Sequence, residues 1–281
     1  MSNTFQGKSK EDIQILISRL QADNNPVNTR RILGLLDFTS LNVTDTAATI
    51  EDICEKINNY QFVFPDLPCF AAICVYPRFV HVLKKRLAIP TVKIASVAGG
   101  FPSSQTTTSV KIAETREAIE AGADEIDMVM PPGEFIEGNK NYIRDEIASV
   151  KEIMGGKRLK IIIESGVLSD PELIYSASIL AMESGADFIK TSTGKEKVSA
   201  SPDAVYIMCH AIKNFYHASG KMIGIKPAGG IASTEDALSY YSLVETILGK
   251  EWLLPENFRI GASRLANILL SEVEGRNVDY F

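Results

Sequence analysis

"GADFIKTSTGK", Gly185 to Lys195, sets a glycine, a short apolar run, a lysine at the end of that run and then a loop of hydroxyls and glycine in one stretch. An apolar run this short reads as a buried strand, and the glycine before it as the end of a helix. The same grammar recurs along the chain. Strand-length runs are "RILGLLDFT" from Arg31, "AAICVYP" from Ala71, "TVKIASVAGG" from Thr91, "EIDMVM" from Glu125, "LKIIIES" from Leu159, "FIKTST" from Phe188, "MIGIKPAGG" from Met222 and "FRIGAS" from Phe258. Helical spacing fills the gaps between them. Ile50, Ile53, Cys54 and Ile57 fall at i, i+3, i+4 and i+7, and Val205, Met208, Cys209, Ile212 and Tyr216 repeat the pattern. Asp170 before Pro171 and Ser201 before Pro202 are N-cap signals, while Gly122, Gly185, Gly220 and Gly249 stand where helices close.

Eight such βα units predict a parallel sheet closed into a single (β/α)8 TIM barrel. An open doubly wound sheet is the alternative, but it carries a GxGxxG turn after its first strand, and the turn here is "DFTSLNVTD". The expected layout is one domain over residues 1–281, with a barrel core at about 31–273. An extra N-terminal helix at about 10–22 lies over one barrel end, and a short tail at 274–281 is expected to be frayed.

Length and composition agree. The 281 residues are 45% hydrophobic, enough for a large core and against disorder. A net charge of −6 without a basic cluster argues against a nucleic-acid partner. The polar start "MSNTFQGKSKED" lacks a signal-peptide core and no apolar run is long enough to span a bilayer, so a cytoplasmic protein without membrane association is expected. Cys54, Cys69, Cys74 and Cys209 show no CxxC pairing and read as free thiols.

In a barrel of this kind the chemistry sits at the C-terminal strand ends, where a polar residue interrupting an apolar run becomes a candidate. Asp37, Asp127, Lys190 and Lys226 meet that description. A lone strand-end lysine is usually a snorkelling or ion-paired residue. Two inward lysines on neighbouring strands are different: at roughly 6 Å and an effective dielectric near 20 they repel by about 3 kcal/mol, on the order of two pKa units. One of them is then a free amine near neutral pH, as Schiff-base chemistry requires. Asp127 is the best-placed acid/base group, with simple charge neutralisation as its plainer role, and Asp37 reads equally well as a turn cap.

Glycine-containing loops follow strands seven and eight, "PAGGIAST" and "GASR", where barrels often bind phosphate through backbone N–H groups. A helix beginning near Arg264 would add its N-terminal amides and a guanidinium. "STGK" is no P-loop, since Ile189 stands where that motif needs glycine. His81, His210 and His217 all lie in helix candidates away from strand ends, so no metal site is expected.

Taken together, "LLDFTSLN", "AAICVYPRF", "EIDMV", "GADFIKTSTGK", "IGIKPAGGI" and "FRIGAS" closely resemble the deoxyribose-phosphate aldolases from about Arg31 to Leu270. The resemblance implies a class I aldolase that reversibly splits 2-deoxy-D-ribose 5-phosphate into acetaldehyde and D-glyceraldehyde 3-phosphate, without metal or external cofactor. By the same resemblance Lys190 forms the Schiff base, Lys226 activates it, and Asp127 moves the proton. Asp37 and Cys74 line the pocket, and Gly194, Lys195, Gly229, Gly230, Gly261 and Ser263 surround the phosphate. Ala232 and Arg264 depart from a familiar form of the motif, which has arginine and serine there, so the guanidinium at the phosphate comes from a different loop.

Other readings remain beside this one: a transaldolase-like or fructose-bisphosphate-aldolase-like Schiff-base barrel, or a noncatalytic phosphate-binding barrel. The implied partners are small phosphorylated sugars and aldehydes, and a homo-oligomer is compatible with them all.

Overall fold

The computed structural model describes residues 9–19 and 26–281. Eight short strands form its centre: β1 (Leu36–Thr39), β2 (Ala72–Val75), β3 (Lys93–Ala98), β4 (Glu125–Val129), β5 (Arg158–Ile162), β6 (Phe188–Lys190), β7 (Gly224–Lys226) and β8 (Ile260–Ala262). All pair in parallel, in the order β7-β6-β5-β4-β3-β2-β1-β8. Pro227 ends β7 by removing a ladder donor, so β7 and β8 meet only through the bridges Ile225–Phe258 and Ala228–Gly261. Those two bridges close the (β/α)8 barrel.

Helices connect the strands and cover the barrel. Asp170 caps Pro171–Glu183 through the Glu172 and Leu173 amides, and Ser201 caps Pro202–Ser219 through the Ala204 amide. Gly220 closes the second of these in the left-handed conformation at φ 70°. Every strand is buried on both faces, as a parallel sheet under helices must be, so the alternation of Leu36, Asp37 and Phe38 separates residues facing the helices from residues facing the barrel interior.

Three expectations need correction or qualification. The run from Arg31 is not strand throughout: Pro26–Leu33 is a helix, and β1 begins only at Leu36. Thr29, Ile32 and Leu33 are buried at i, i+3 and i+4, a helical face inside a run whose apolar content looked strand-like. The N-terminal helix spans Lys10–Arg19 and packs against Pro202–Ser219 with Ile13 buried; its expected continuation to residue 22 lies outside the described residues.

The tail does not fray. Asn267 Oδ1 accepts the Tyr280 and Phe281 amides at 3.1 and 3.0 Å, and the Phe281 ring lies 5.0 Å from both Phe38 and Phe70. Two aromatics and Val278 give this short segment enough apolar surface to dock.

Candidate active site

Strand register brings the charged residues together. Lys190 is the register partner of Lys226, and Asp127 that of Lys160. Asp127 Oδ2 lies 2.8 Å from Lys190 Nζ and 2.8 Å from Lys226 Nζ, so the two ammonium groups converge on one oxygen. Lys226 also reaches Asp37 Oδ2 at 2.5 Å. Its path needs the absence of a side chain at Gly261, where a Cβ would stand 2.9 Å from Lys226 Cε.

Below this pair the interior holds a denser ion network than the sequence reading anticipated. Lys160 Nζ contacts Asp37 at 2.9 Å, Glu125 at 2.6 Å and Asp127 Oδ1 at 3.2 Å. Arg259, just before β8, binds Asp37 at 2.5 Å and Glu125 at 3.0 Å, and Arg158 reaches Glu125 from the half-exposed side. Lys160, Glu125 and Arg259 were missed. Their signal was available, since each is a charge inside or against an apolar strand run ("LKIIIES", "EIDMV", "FRIGAS"), and Glu125 and Asp127 share a face by alternation. The distribution is one-sided around the barrel. Asp37, Glu125 and Asp127 come from β1 and β4, whereas Lys160, Lys190, Lys226 and Arg259 come from the chain between β5 and the start of β8.

Electrostatics follow from this packing. Burial alone would raise the Asp37 carboxyl, but Lys160, Lys226 and Arg259 outweigh it and hold Asp37 well below the ordinary carboxylate range. Burial is likewise outweighed at Asp127 by Lys160, Lys190 and Lys226. For Lys226 burial favours the neutral amine, yet Asp127 and Asp37 overcome it and raise its pKa, and Lys160 is raised in the same way by Asp127, Asp37 and Glu125. Lys226 is therefore an ammonium at neutral pH. Asp127 Oδ1 lies within ion-pair reach of Lys160 but accepts no hydrogen bond among the described residues, which leaves an acceptor open beside the lysines.

Above the network opens a cavity of about 290 Å³ with Lys190 in its wall. Gly194, Lys195, Gly229, Gly230, Gly261, Ser263 and Arg264 also line it, so the residues expected around a phosphate share one rim. The N–H groups of Gly194 and Gly230 find no partner among the described residues, and both glycines have positive φ, 74° and 75°. Such free amides form an anion-binding concavity. Arg264 stands at the start of the helix Leu265–Glu274, and Ala232 also lines the cavity. Lys195 Nζ donates to the Leu41 carbonyl at 2.5 Å, tying the loop after β6 to the loop after β1. The hydroxyls after Lys190 serve that loop: Ser192 Oγ donates to the Ala228 carbonyl at 2.5 Å, and Thr191 Oγ1 accepts the Ala228 amide at 3.0 Å.

Of the buried charged cluster Lys190 alone reaches the cavity wall; Asp127 and Lys226 lie directly behind it, and Asp37 and Cys74, expected to line the pocket, lie behind it as well. Both are fully buried: Lys160, Lys226 and Arg259 enclose Asp37, and Cys74 Sγ lies 4.0 Å from Asp127 Oδ2. Burial, reinforced by Asp127, pushes the Cys74 thiol up to about 11, so it stays protonated at neutral pH.

Known proteins share this architecture. A model of the DeoC/LacD family aldolases matches residues 32–246. A human deoxyribose-phosphate aldolase is 41% identical over 255 residues, covering 87% of this chain and 79% of its own. A Caenorhabditis elegans protein, named provisionally as a deoxyribose-phosphate aldolase, is 41% identical over 238 residues, covering 84% of this chain and 78% of its own. The Aeropyrum pernix deoxyribose phosphate aldolase shares the fold, with a TM-score of 0.70 at 23% identity over 94% of this chain and 98% of that one. With a family model spanning most of the barrel and relatives this similar over most of their lengths, the chain belongs to the DeoC/LacD family of aldolases.

Proposed function

We propose that the protein is a class I aldolase that reversibly cleaves 2-deoxy-D-ribose 5-phosphate to acetaldehyde and D-glyceraldehyde 3-phosphate, with Lys190 as the Schiff-base residue. The observation that carries the reading is the position of Lys190: its amine meets Asp127 at 2.8 Å, and the lysine lines a cavity whose rim holds unpaired glycine amides. Position supports the same choice. Of the four buried cations gathered on Asp37, Glu125 and Asp127, namely Lys160, Lys190, Lys226 and Arg259, only Lys190 lines the cavity.

In the cleavage direction the Lys190 amine adds to C1 of the open-chain sugar and water leaves, forming an imine that is protonated to an iminium. Asp127, acting with Lys226, accepts the C3 hydroxyl proton. The C2–C3 bond then breaks, its electron pair flows toward the iminium nitrogen, and glyceraldehyde 3-phosphate departs. The enamine left on Lys190 takes a proton at C2, and water releases acetaldehyde and restores the amine. Lys226, held as an ammonium, stabilises Asp127 as a carboxylate before it takes the C3 proton and again once that proton has been passed on. Arg264, Lys195 and the Gly194 and Gly230 amides receive the phosphate.

Incubation with 2-deoxyribose 5-phosphate should release acetaldehyde and glyceraldehyde 3-phosphate in equal amounts. Cleavage of fructose 1,6-bisphosphate or three-carbon transfer between sugars without acetaldehyde release would instead assign a different Schiff-base aldolase. Phosphate binding without turnover would leave a noncatalytic barrel. We extend the reading to a cytoplasmic homo-oligomer, in line with the tetramer described for the Aeropyrum pernix aldolase. Sedimentation of the purified chain as a monomer would remove the second part.

A further inference from the structure

Glu164 follows β5 and has an unusual combination of properties. It is a non-glycine residue in the left-handed conformation, at φ 54° and ψ 55°, and only 2% exposed. It occupies the N-cap position of the short helix Ser165–Leu168, yet its side chain makes no capping bond to that helix. Instead both carboxylate oxygens turn to the next loop, at 3.3 and 3.2 Å from the Thr193 amide. Burial raises its pKa, against hydrogen bonds from the Thr193 side chain and backbone that lower it.

The surrounding contacts hold the same two loops together. Ser165 N donates to the Thr191 carbonyl at 2.8 Å, and a Cβ at Gly166 would run into the Val198 carbonyl. Thr193 in turn organises the two residues after it: its Oγ1 accepts the Lys195 amide at 3.1 Å, and between them Gly194 takes positive φ. With the Thr193 amide and the Lys195 amide both engaged, Gly194 N–H is the donor of this turn left without a partner among the described residues. Thr193, Gly194 and Lys195 all line the cavity.

We propose that Glu164 is a positioning residue for the phosphate end of the site: it clamps the Thr193–Lys195 turn so that the Gly194 amide and the Lys195 ammonium face the ligand. The proposal rests on the phosphorylated-sugar reading given above. A carboxylate suits the task because it only accepts hydrogen bonds and offers two oxygens to the one turn. An unusual backbone conformation held at the margin of a binding loop fits the same role.

The test separates backbone from side chain. Glu164→Gly favours the left-handed conformation and removes the clamp, and Glu164→Gln keeps one acceptor. Cleavage of 2-deoxyribose 5-phosphate and of unphosphorylated 2-deoxyribose is measured, with inorganic phosphate as a competitive inhibitor. For Glu164→Gly, KM for the phosphorylated sugar should rise about tenfold and phosphate inhibition weaken by about the same factor, with kcat within about twofold and 2-deoxyribose cleavage unchanged. Glu164→Gln should restore most of the loss. Equal losses on both substrates, or unchanged KM and phosphate inhibition in a folded variant, would overturn the proposal. If the unmutated protein itself shows no preference for the phosphorylated sugar and no inhibition by phosphate, the reading of the site fails first, and the proposal with it.

Discussion

Lys190 and Lys226 face each other in register across β6 and β7 and meet on the same oxygen of Asp127, 2.8 Å from each. Two amines brought this close are usually described by their mutual repulsion. Here a carboxylate lies between them, and together with Asp37 it keeps Lys226 protonated.

Lys190 is expected to be the covalent residue. Borohydride added in the presence of acetaldehyde should fix an ethyl group on Lys190, located by peptide mass mapping, and should inactivate the enzyme in proportion. An ethyl group found only on Lys226 would reverse the two roles.

Network charges should tune the Lys190 amine in opposite directions. Lys226→Leu removes a matched cation, so the Lys190 proton is held more tightly and the acid limb of the pH–rate profile moves to higher pH. The move should come with a strong fall in turnover at neutral pH. Glu125→Gln removes a matched carboxylate and should move the limb to lower pH, although Glu125 does not line the cavity. Limbs that stay in place in both variants would exclude electrostatic activation.

Stability should depend on pH mainly outside the neutral range. Asp37 and Asp127 have folded pKa values below their unfolded ones, so their stabilisation is complete above about pH 4 and lost as pH falls through the depressed values. Lys160 and Lys226 are raised in the fold; their contribution is complete below about pH 10 and lost only as pH rises through the raised values. Melting curves should therefore show a steep acid decline that is reduced in Asp37→Asn. That variant also removes one of three buried carboxylates from the network, leaving Lys160, Lys226 and Arg259 to share Glu125 and Asp127, and should cost about 3–5 kcal/mol at neutral pH. An acid decline of unchanged steepness would place the titrating groups elsewhere.

Arg264→Ala should raise KM for 2-deoxyribose 5-phosphate by about ten- to a hundredfold and barely change cleavage of 2-deoxyribose, the loss of one charge-assisted contact. Equal effects on both sugars, or none on either, would mean that the backbone amides hold the phosphate without it.

The barrel was legible because each strand run is apolar through both faces and each gap repeats at helical spacing. Lys190, Lys226 and Asp127 were legible because they end or interrupt such runs. Lys160, Glu125 and Arg259 escaped although the same rule covers them: Glu125 and Arg259 stand at or just before a strand start and Lys160 near the start of its apolar run, positions that read as surface until register shows them enclosed. The Phe281 dock and the helix at Pro26–Leu33 depend on what lies across from them, and no local pattern states that. Glu164 depends on a backbone dihedral that sequence does not display.

The one-sided origin of the buried charges bears on how the barrel can be divided. A cut at Gly155–Gly156, where an added Cβ would meet nothing within 4 Å, leaves every network acid in the N-terminal fragment and Lys160, Lys190, Lys226 and Arg259 in the C-terminal one. Neither fragment can seal an interior of one sign, and neither can be replaced by a second copy of the other. Co-expressed, the two fragments should reassemble into one cooperatively melting barrel, whereas each alone should remain unfolded. Polarity between halves thus acts as a pairing code, one that disfavours symmetric half-barrel dimers and admits only the complementary partner.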